Sequence, residues 1–271
     1  DAYNYSPPQP DVIVQGVLGT DTQIESSPAY QRLIMRYRMR VTPALRANRG
    51  RDRGLKTLEL LTTATFYEGL PGIHFNVAYT NSAADHRLRA HLRTGLQAHE
   101  VLTDAAFALV KRPLKIEGET FPTEQGVEGV IHTYPMQTLA AVEGTGHAMA
   151  LLSRGLHEVE ALSEDGQTTL ALTLLRAVGW LSRDDLKTRT ANIKPSLAIP
   201  CAQCLRPLEA EFALAPMRAK DPAGMLAAGL AYNAPLGVYQ YSQPPKARQQ
   251  SYLRLETTTS KAVTQDVLLT A

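Results

Sequence analysis

Short runs of alternating apolar and polar residues, each closed by turn-forming residues, recur along this chain. Because successive side chains of a strand point to opposite faces, the pattern is typical of strands with one buried face. In the first half it predicts strands at 11–18, 30–41, 55–67, 73–80 and 86–93. The run 30–41 places four arginines on one solvated face, and 73–80 with 86–93 is expected to form a hairpin around the turn 81–85.

The second half continues the pattern. A hairpin is predicted from 137–142 and 147–153 across the glycine-containing loop 143–146, followed by strands at 158–162, 168–175 and 209–215. The run 168–175 is almost continuously apolar, as in a strand buried on both faces. The segment 181–190 is typical of helix or loop. One helix is predicted at 221–232, with Asp221 as its N-cap and Pro222 in its first turn. The fold class is therefore mainly β, a large antiparallel β-sandwich with one short helix.

Composition limits the possible partners. The chain has 271 residues, 20% of them charged and 44% hydrophobic, with a formal net charge of +2. These values are typical of a soluble globular protein and argue against nucleic acid as a partner. No apolar run approaches the roughly 18 residues that a membrane helix needs, since the best candidate, 169–181, contains Arg176. No membrane association is expected.

Two cysteines, Cys201 and Cys204, form a single CxxC unit. A structural zinc site usually needs four ligands, and no second such pair exists. Pro200 precedes the unit and a strand-like run follows, which differs from the usual redox motif. Reduced cysteines that pack in the protein are favoured over a metal site or a redox pair. Their use favours the cytoplasm as the compartment.

The remaining candidate chemistry is sparse. The seven histidines are scattered without a metal-binding motif, so neither a metal site nor catalytic residues are predicted. Glu158 with Glu160, and Glu209 with Glu211, each share a strand face, as solvent-facing residues also do. Asp184 and Asp185 are interpreted as caps of a helix start. The face formed by Arg87, Arg89, His91 and Arg93 either binds a charged sugar or forms ion pairs with a neighbouring strand, and pairing is favoured.

Several segments occur in the order expected for one enzyme family. They are DAYNYSPP at 1–8, DHRLR at 85–89, HTYPMQTLAAV at 132–142, ALLSRGLHEVEAL at 150–162, LALTLLRAVGWLSRDDL at 170–186 and IPCAQCLRPLEAEFAL at 199–214. Together they resemble the C-terminal region of bacterial glycoside hydrolase family 38 α-mannosidases. Val159 departs from the family, in which an aromatic residue is common at this position.

The resemblance implies a β-supersandwich of the galactose-mutarotase-like kind. It also implies that residues 1–271 are a single C-terminal β-sandwich domain, part of a longer enzyme whose N-terminal catalytic domain is absent. In the family that domain holds a zinc ion and a nucleophilic aspartate, and the enzyme hydrolyses terminal α-mannosides with retention. The expected partners are this catalytic domain and a mannoside, and the chain alone is expected to be inactive. Homo-oligomers are also possible in this scheme.

Two positions match residues that approach the family's sugar pocket. Tyr3 aligns with a tyrosine that hydrogen-bonds the sugar, and Arg154 with Gly155 matches an Arg-Gly turn near the pocket. The resemblance thus implies substrate binding by Tyr3, Arg154 and Gly155. The alternatives are a packing tyrosine and a surface arginine paired with a nearby glutamate.

Two further functions stay open. One alternative to the enzyme domain is an independent carbohydrate-binding module of similar fold. The other is a purely structural, oligomer-forming domain. A binding module would need a solvent-facing aromatic platform, and the single tryptophan, Trp180, lies in an apolar segment.

Overall fold

The computed structural model describes residues 2–3, 5–8, 10–19, 21–106, 108–118, 121, 128–183, 185–189 and 196–234. These residues form sixteen strands, a 3₁₀ helix at Pro200–Gln203 and one α-helix, α1, at Pro222–Asn233. The strands are β1 Val17–Leu18, β2 Gln23–Ser27, β3 Tyr30–Val41, β4 Lys56–Tyr67, β5 Ile73–Thr80, β6 Arg87–Arg93, β7 Glu100–Ala105, β8 Ala108–Pro113, β9 Thr133–Pro135, β10 Leu139–Glu143, β11 His147–Arg154, β12 Glu158–Glu164, β13 Gln167–Arg176, β14 Trp180–Ser182, β15 Leu197–Ala198 and β16 Pro207–Arg218.

Two antiparallel sheets dominate the structure. The large sheet has ten strands in the order β1-β3-β4-β5-β16-β11-β10-β7-β8, with β2 also paired to β3. The small sheet has four strands in the order β6-β13-β12-β9. Strand β14 pairs only with β15 among the described strands. The predicted mainly β, antiparallel sandwich with one short helix is confirmed.

The main core lies between the two sheets. Apolar side chains from alternate positions of the large sheet meet those of the small sheet, as pleated strands require. The fully buried members include Leu58, Val142, Leu151, Phe212, Val159, Leu170 and Leu172. Phe75 stacks on Phe212 with ring centroids 5.1 Å apart. The small sheet covers only part of this face, because Phe66, on the same strand as Leu58, is 50% exposed.

A second core lies on the opposite face of the large sheet. It joins Ala150 and Leu152 of β11 and Ala213 of β16 with Met225 of α1. The helix begins as predicted, because the Asp221 carboxylate accepts a hydrogen bond from the Gly224 backbone N–H at 3.0 Å. The large sheet is therefore covered on both faces at its centre.

Most predicted strands agree with the structure within a few residues. The solvated arginine face of β3 is confirmed, since Arg36 and Arg38 pair with Asp21 and Glu59 in exposed salt bridges. The hairpin between β10 and β11 is also confirmed. Strand β13, predicted to be buried on both faces, is buried from Thr168 to Thr173.

Three local predictions were wrong. Strands β5 and β6 do not form a hairpin, because β5 pairs with β4 and β16 whereas β6 pairs with β13 in the other sheet. The turn 81–85 therefore carries the chain from one sheet to the other. Of the run 11–18 only Val17–Leu18 forms a strand. Asp185 caps no helix, so that interpretation is wrong, whereas the loop alternative for the segment 181–190 agrees with residues 183 and 185–189, which follow β14; Asp184 and Thr190 lie outside the described residues.

Asp104 of β7 fixes the start of β10. Its buried carboxylate accepts hydrogen bonds from the backbone N–H groups of Gln137, Thr138 and Leu139 and from the Thr138 hydroxyl, at 2.6 to 3.0 Å. A carboxylate with this many donors is a strong point of attachment in a buried setting. It holds the loop before β10 against β7, which lies next to the edge strand β8 of the large sheet.

We expect Asp104→Ala to lower the free energy of unfolding by about 3 kcal/mol or more, because several buried donors lose their acceptor. Equilibrium urea unfolding measures the difference. The control is Glu100→Gln on the same strand, since Glu100 is exposed and, among the described residues, pairs only with exposed Lys111 at 3.4 Å. That change should shift stability by less than about 0.5 kcal/mol. Equal losses in both variants would contradict the assigned role of Asp104.

Candidate functional site

Segments distant in sequence meet at one cavity. It has a volume of about 70 Å³ and lies where residues 5–8, 45–51, 85–86 and 176–186 converge. The side chains that matter for its chemistry are Tyr5, Arg49, Arg51, Asp85, His86, Arg176, Trp180 and Arg183. Three segments that carry the family resemblance, 1–8, 85–89 and 170–186, therefore contribute to the same cavity.

The N-terminal segment is held by contacts with β14, with the end of β13 and with β6. The Ala2 backbone N–H donates to the Trp180 carbonyl at 3.0 Å, and the Arg176 guanidinium donates to the Ala2 carbonyl. The Tyr5 ring lies against the Arg87 guanidinium, whose carbon is 3.7 Å from the ring centroid. These contacts form one wall of the cavity.

Two arginines of the loop between β3 and β4 attach the same segment from the other side. Arg49 donates to the Ser6 carbonyl at 2.6 Å and to the Asp185 carbonyl at 3.0 Å. Arg51 donates to the Asp11 carboxylate at 2.8 Å and to the Asp85 carbonyl at 2.5 Å. Burial lowers the pKa of Arg49, although a guanidinium stays charged at physiological pH.

Asp85 shapes the turn that presents His86. Its backbone has φ +53, a left-handed conformation that aspartate tolerates better than most residues. The carboxylate accepts hydrogen bonds from the Leu45 backbone N–H at 3.2 Å and from the Gln203 side-chain amide at 2.7 Å. The Asp85 backbone N–H in turn donates to the Gln203 side chain at 2.9 Å. The turn is therefore fixed by partners from two distant segments.

His86 is the unusual residue of the cavity. Both of its ring nitrogens are buried, and neither forms a hydrogen bond with the part of the chain that the structure describes. Burial lowers the pKa of His86, while the Ala84 backbone and Asp85 oppose the shift. The neutral imidazole, with one N–H donor and one acceptor nitrogen, is therefore the form that the folded state favours.

The charged residues that follow His86 are used for structure. Arg89 donates to Glu160 at 2.5 Å, and Arg87 lies 3.7 Å from Glu158 and 3.8 Å from Glu160. These pairs span β13, which lies between β6 and β12. The favoured interpretation of ion pairing for this face agrees with the structure. It also assigns Glu158 and Glu160 a structural role instead of a catalytic one.

The structure locates the predicted substrate-binding residues in two regions. Tyr3 follows Ala2 at the edge of the cavity wall and is 65% exposed. Arg154 ends β11 of the large sheet, where it pairs with Glu211 and donates to the Tyr232 carbonyl of α1 at 2.6 Å. Gly155 has φ +73, and a Cβ at this position would meet nothing within 4 Å. The predicted substrate roles of all three residues stay predictions.

Metal-binding and membrane features can be checked over the described ranges. Among these residues no group of three or more histidine, cysteine, aspartate or glutamate side chains is positioned to hold a metal ion. No described group of residues in this chain would therefore hold a zinc ion, which the resemblance assigns to the separate catalytic domain. Both cysteines are free, with Cys204 packed against the core and Cys201 exposed. Within the described part of the chain, no helix combines the length and apolar character needed to cross a bilayer.

Comparison with known proteins relates this geometry to a family. No family model matches the chain. A candidate mannosylglycerate hydrolase from Halalkalibacterium halodurans is 28% identical over 167 residues, which are 62% of this chain and 16% of that protein. The structure of an α-mannosidase from Enterococcus faecalis V583 is also similar, with a TM-score of 0.64 and 20% identity. The similar region covers 81% of this chain and 24% of the α-mannosidase chain.

A glycosyl hydrolase family 38 protein from Enterococcus faecalis matches 79% of this chain and 24% of its own, with a TM-score of 0.59 and 21% identity. This chain has the fold of a glycoside hydrolase family 38 domain. It spans about a sixth of its curated relative and about a quarter of each solved structure. The resemblance inferred from the ordered segments is confirmed.

Sequence reasoning missed this cavity. It treated Asp85 and His86 only as parts of a turn and of a motif, and Trp180 only as part of an apolar segment. The useful indication was that the most recognisable segments carry His86, Tyr5 and Trp180 together. Their meeting depends on strand pairing between β6 and β13, which the sequence did not reveal.

We expect the free energy of unfolding of this chain to fall as the pH is lowered from 7.5 to 5.5. Burial is the largest cause of the lowered pKa of His74, His86 and His91 in the folded state. The unfolded chain then binds protons more readily, so stability is fully present above the unfolded pKa of about 6.5 and declines below it. Urea unfolding at the two pH values measures the effect. His86→Leu should reduce the difference between them, and an unchanged difference would contradict this assignment.

Proposed function

We propose that residues 1–271 form the C-terminal β-sandwich domain of a zinc-dependent, retaining α-mannosidase of glycoside hydrolase family 38. In this proposal the domain supports an N-terminal catalytic domain of a longer chain and contributes to the rim of its sugar pocket. The observation that carries the proposal is the fold match to an α-mannosidase over about a quarter of that enzyme. The sequence similarity to a candidate mannosylglycerate hydrolase supports the same enzyme class.

The proposal divides the chemistry between two parts of the enzyme. Retaining hydrolysis needs two carboxyl groups about 5 to 5.5 Å apart, one as nucleophile and one as acid and base. In this domain the carboxylate pairs on shared strand faces are engaged in other contacts: Glu158 and Glu160 with arginines, and Glu211 with Arg154. We therefore assign the nucleophile and the zinc ion, which would hold the sugar hydroxyls, to the catalytic domain.

Several exposed apolar side chains near one edge of the large sheet support docking of that catalytic domain. Val12, Ile13, Val17 and Ile24 lie close together in sequence, before and on the edge strands β1 and β2, and are 56%, 89%, 70% and 76% exposed. Large exposed apolar patches usually mark interaction sites. We propose the remainder of a longer enzyme chain as the partner at this surface. The free cysteines are consistent with action in the cytoplasm.

Tyr3, Arg154 and Gly155 are the proposed contributors to the rim. Tyr3 is 65% exposed, so a neighbouring domain can contact this side chain. The open, left-handed Gly155 allows the chain after β11 to turn sharply. Arg154 keeps its side chain at the surface through Glu211 and Tyr232, where a second domain can reach it.

We expect hydrolysis of an aryl α-mannoside only by the chain extended N-terminally into its natural precursor, and only when zinc is supplied. Residues 1–271 alone should be inactive with and without zinc, because the nucleophile is assigned elsewhere. Activity is measured as release of the aryl group by all four samples. Turnover by residues 1–271 alone would overturn the proposed division of labour.

In the active longer enzyme, Tyr3→Phe and Arg154→Ala should each lower kcat/KM by about tenfold, which corresponds to one lost hydrogen bond of about 1.4 kcal/mol. The controls are Tyr30→Phe and Arg38→Ala. Arg38 resembles Arg154 in pairing with a glutamate on the adjacent strand of the large sheet, at 3.0 Å. If Arg154→Ala lowers the Tm but leaves kcat/KM equal to that of Arg38→Ala, its role is structural only.

A further inference from the structure

We propose that three aromatic side chains on the helix-covered face of the large sheet form a sugar-binding surface. They are Tyr67 of β4, His74 of β5 and Tyr232 of α1, together the aromatic row. The surface consists of residues of this chain alone, so it can be tested without hydrolytic activity. Only the choice of an α-mannoside as its ligand rests on the function proposed above.

Strand register brings the three rings together. His74 pairs with Ala213 of β16, which packs under α1, so the His74 side chain lies on the helix side of the sheet. On the adjacent strand Thr65 pairs with His74, and Tyr67 follows two positions later on the same face. The His74 ring centroid lies 5.2 Å from that of Tyr67 and 5.8 Å from that of Tyr232. The aromatic row therefore runs across the strands, from β4 to the C-terminal end of α1.

The rings at both ends of the row are held by neighbouring side chains. Tyr67 contacts Tyr30 of β3 edge-to-face at 6.4 Å, and the Arg32 guanidinium in turn covers the Tyr30 ring. At the other end the Arg154 guanidinium lies 5.0 Å from the Tyr232 centroid and donates a hydrogen bond to the Tyr232 carbonyl. Side chains that are already ordered lose less conformational entropy when a ligand binds, which favours affinity.

The polar atoms of the aromatic row are without partners in the part of the chain that the structure describes. Neither the hydroxyl groups of Tyr67 and Tyr232 nor the ring nitrogens of His74 form a hydrogen bond there. All three side chains are half-buried, and none of these atoms belongs to the fully enclosed polar atoms that lack a partner. Solvent therefore reaches them, and so can the hydroxyl groups of a ligand.

These atoms complement hydroxyl groups chemically. A tyrosine hydroxyl both donates and accepts hydrogen bonds. Burial and the nearby Arg154 lower the pKa of His74, so the folded state favours the neutral imidazole, which has one donor and one acceptor nitrogen. The aromatic row thus offers donors and acceptors of the kind that a neutral, hydroxyl-rich ligand requires.

The surrounding surface favours a sugar over another protein. The next positions on the same face of β4 and β5 are Thr65 and Asn76, and the Arg154–Glu211 ion pair lies beside Tyr232. Protein interfaces also use tyrosine, but their buried centres are depleted in charged residues. A sugar presents apolar C–H groups and many hydroxyl groups. These match aromatic rings with polar tips that are separated by polar side chains.

The length of the row favours a ligand of more than one sugar ring. The two successive centroid separations both exceed 5 Å, and the row crosses β16 between β5 and the helix. It starts beside Arg154, the residue proposed above for the rim of the sugar pocket. We therefore expect an oligosaccharide to contact more of the row than a monosaccharide does.

Calorimetric titration of residues 1–271 with α-linked mannotriose and with methyl α-D-mannoside tests the proposal. We expect saturable binding of mannotriose in roughly the millimolar range, and binding of the monosaccharide at least tenfold weaker. Absence of saturable mannotriose binding would overturn the proposal, as would equal affinity for the two ligands. Either result leaves the proposed hydrolytic function standing, because hydrolysis is measured separately on the longer enzyme.

Three variants connect binding to the aromatic row. Tyr67→Ala should weaken mannotriose binding at least tenfold, because the ring and its hydroxyl are both lost. Tyr67→Phe retains the ring and should recover part of the affinity. The control is Phe66→Ala, since Phe66 is the adjacent residue of β4, is 50% exposed and lies on the opposite face. This variant should bind as the wild type does.

Unfolding curves establish that each variant is folded. Wild-type affinity in folded Tyr67→Ala and Tyr67→Phe would refute the assignment, and so would an equal loss in Phe66→Ala. A contact between domains is the competing role for the row. Absence of sugar binding, together with a lower Tm of the longer enzyme in Tyr67→Ala but not in Phe66→Ala, would assign that role and overturn the proposal.

Discussion

The structure depends on one constraint: the central strands of the large sheet are apolar on both faces. Ala148, Ala150 and Leu152 of β11 face α1, while Met149 and Leu151 face the small sheet. Neither set can remain in water without a large loss of hydrophobic stabilisation. The sheet must therefore be covered twice, which fixes the small sheet on one side and α1 on the other. This arrangement also decides that Arg154, at the end of β11, lies on the side of the helix.

The outer strands β3 and β4 of the large sheet are buried on one face only. Beyond the part that α1 covers, β3 and β4 carry charged and polar residues on their outer face, such as Arg36, Arg38 and Glu59. Their inner face still contributes Leu58 and Leu60 to the core. The large sheet is thus buried on both faces at its centre and on one face towards β3. The short strands β1 and β2 then close this edge, with apolar side chains left exposed next to it.

The sequence predicted the strands well and their partners poorly. Alternation located β3 and β5 closely, because the side-chain period of a half-buried strand is a local property, and the continuous apolar run 168–175 located β13. The β10–β11 hairpin was also predictable, since its loop glycines and its strands are adjacent. The same kind of turn at 81–85 indicated a hairpin that does not exist. Turn residues report that the chain changes direction, but they do not report which sheet the next strand joins. That choice depends on the non-local pairing of β6 with β13.

The cavity was hidden for the same reason, and its chemistry follows from how the arginines are used. Arg49, Arg51 and Arg176 each bind both an acidic side chain and a backbone carbonyl of another segment, so their charge is used to hold the walls together. Because each of these three arginines is paired with a carboxylate, their positive charges are compensated at the cavity walls. Within DHRLR, Arg87 and Arg89 lie on the ion-paired outer face, whereas the strand alternation turns His86 inwards. Burial lowers the pKa of His86, so protonation of this inward-facing side chain is unfavourable in the folded state.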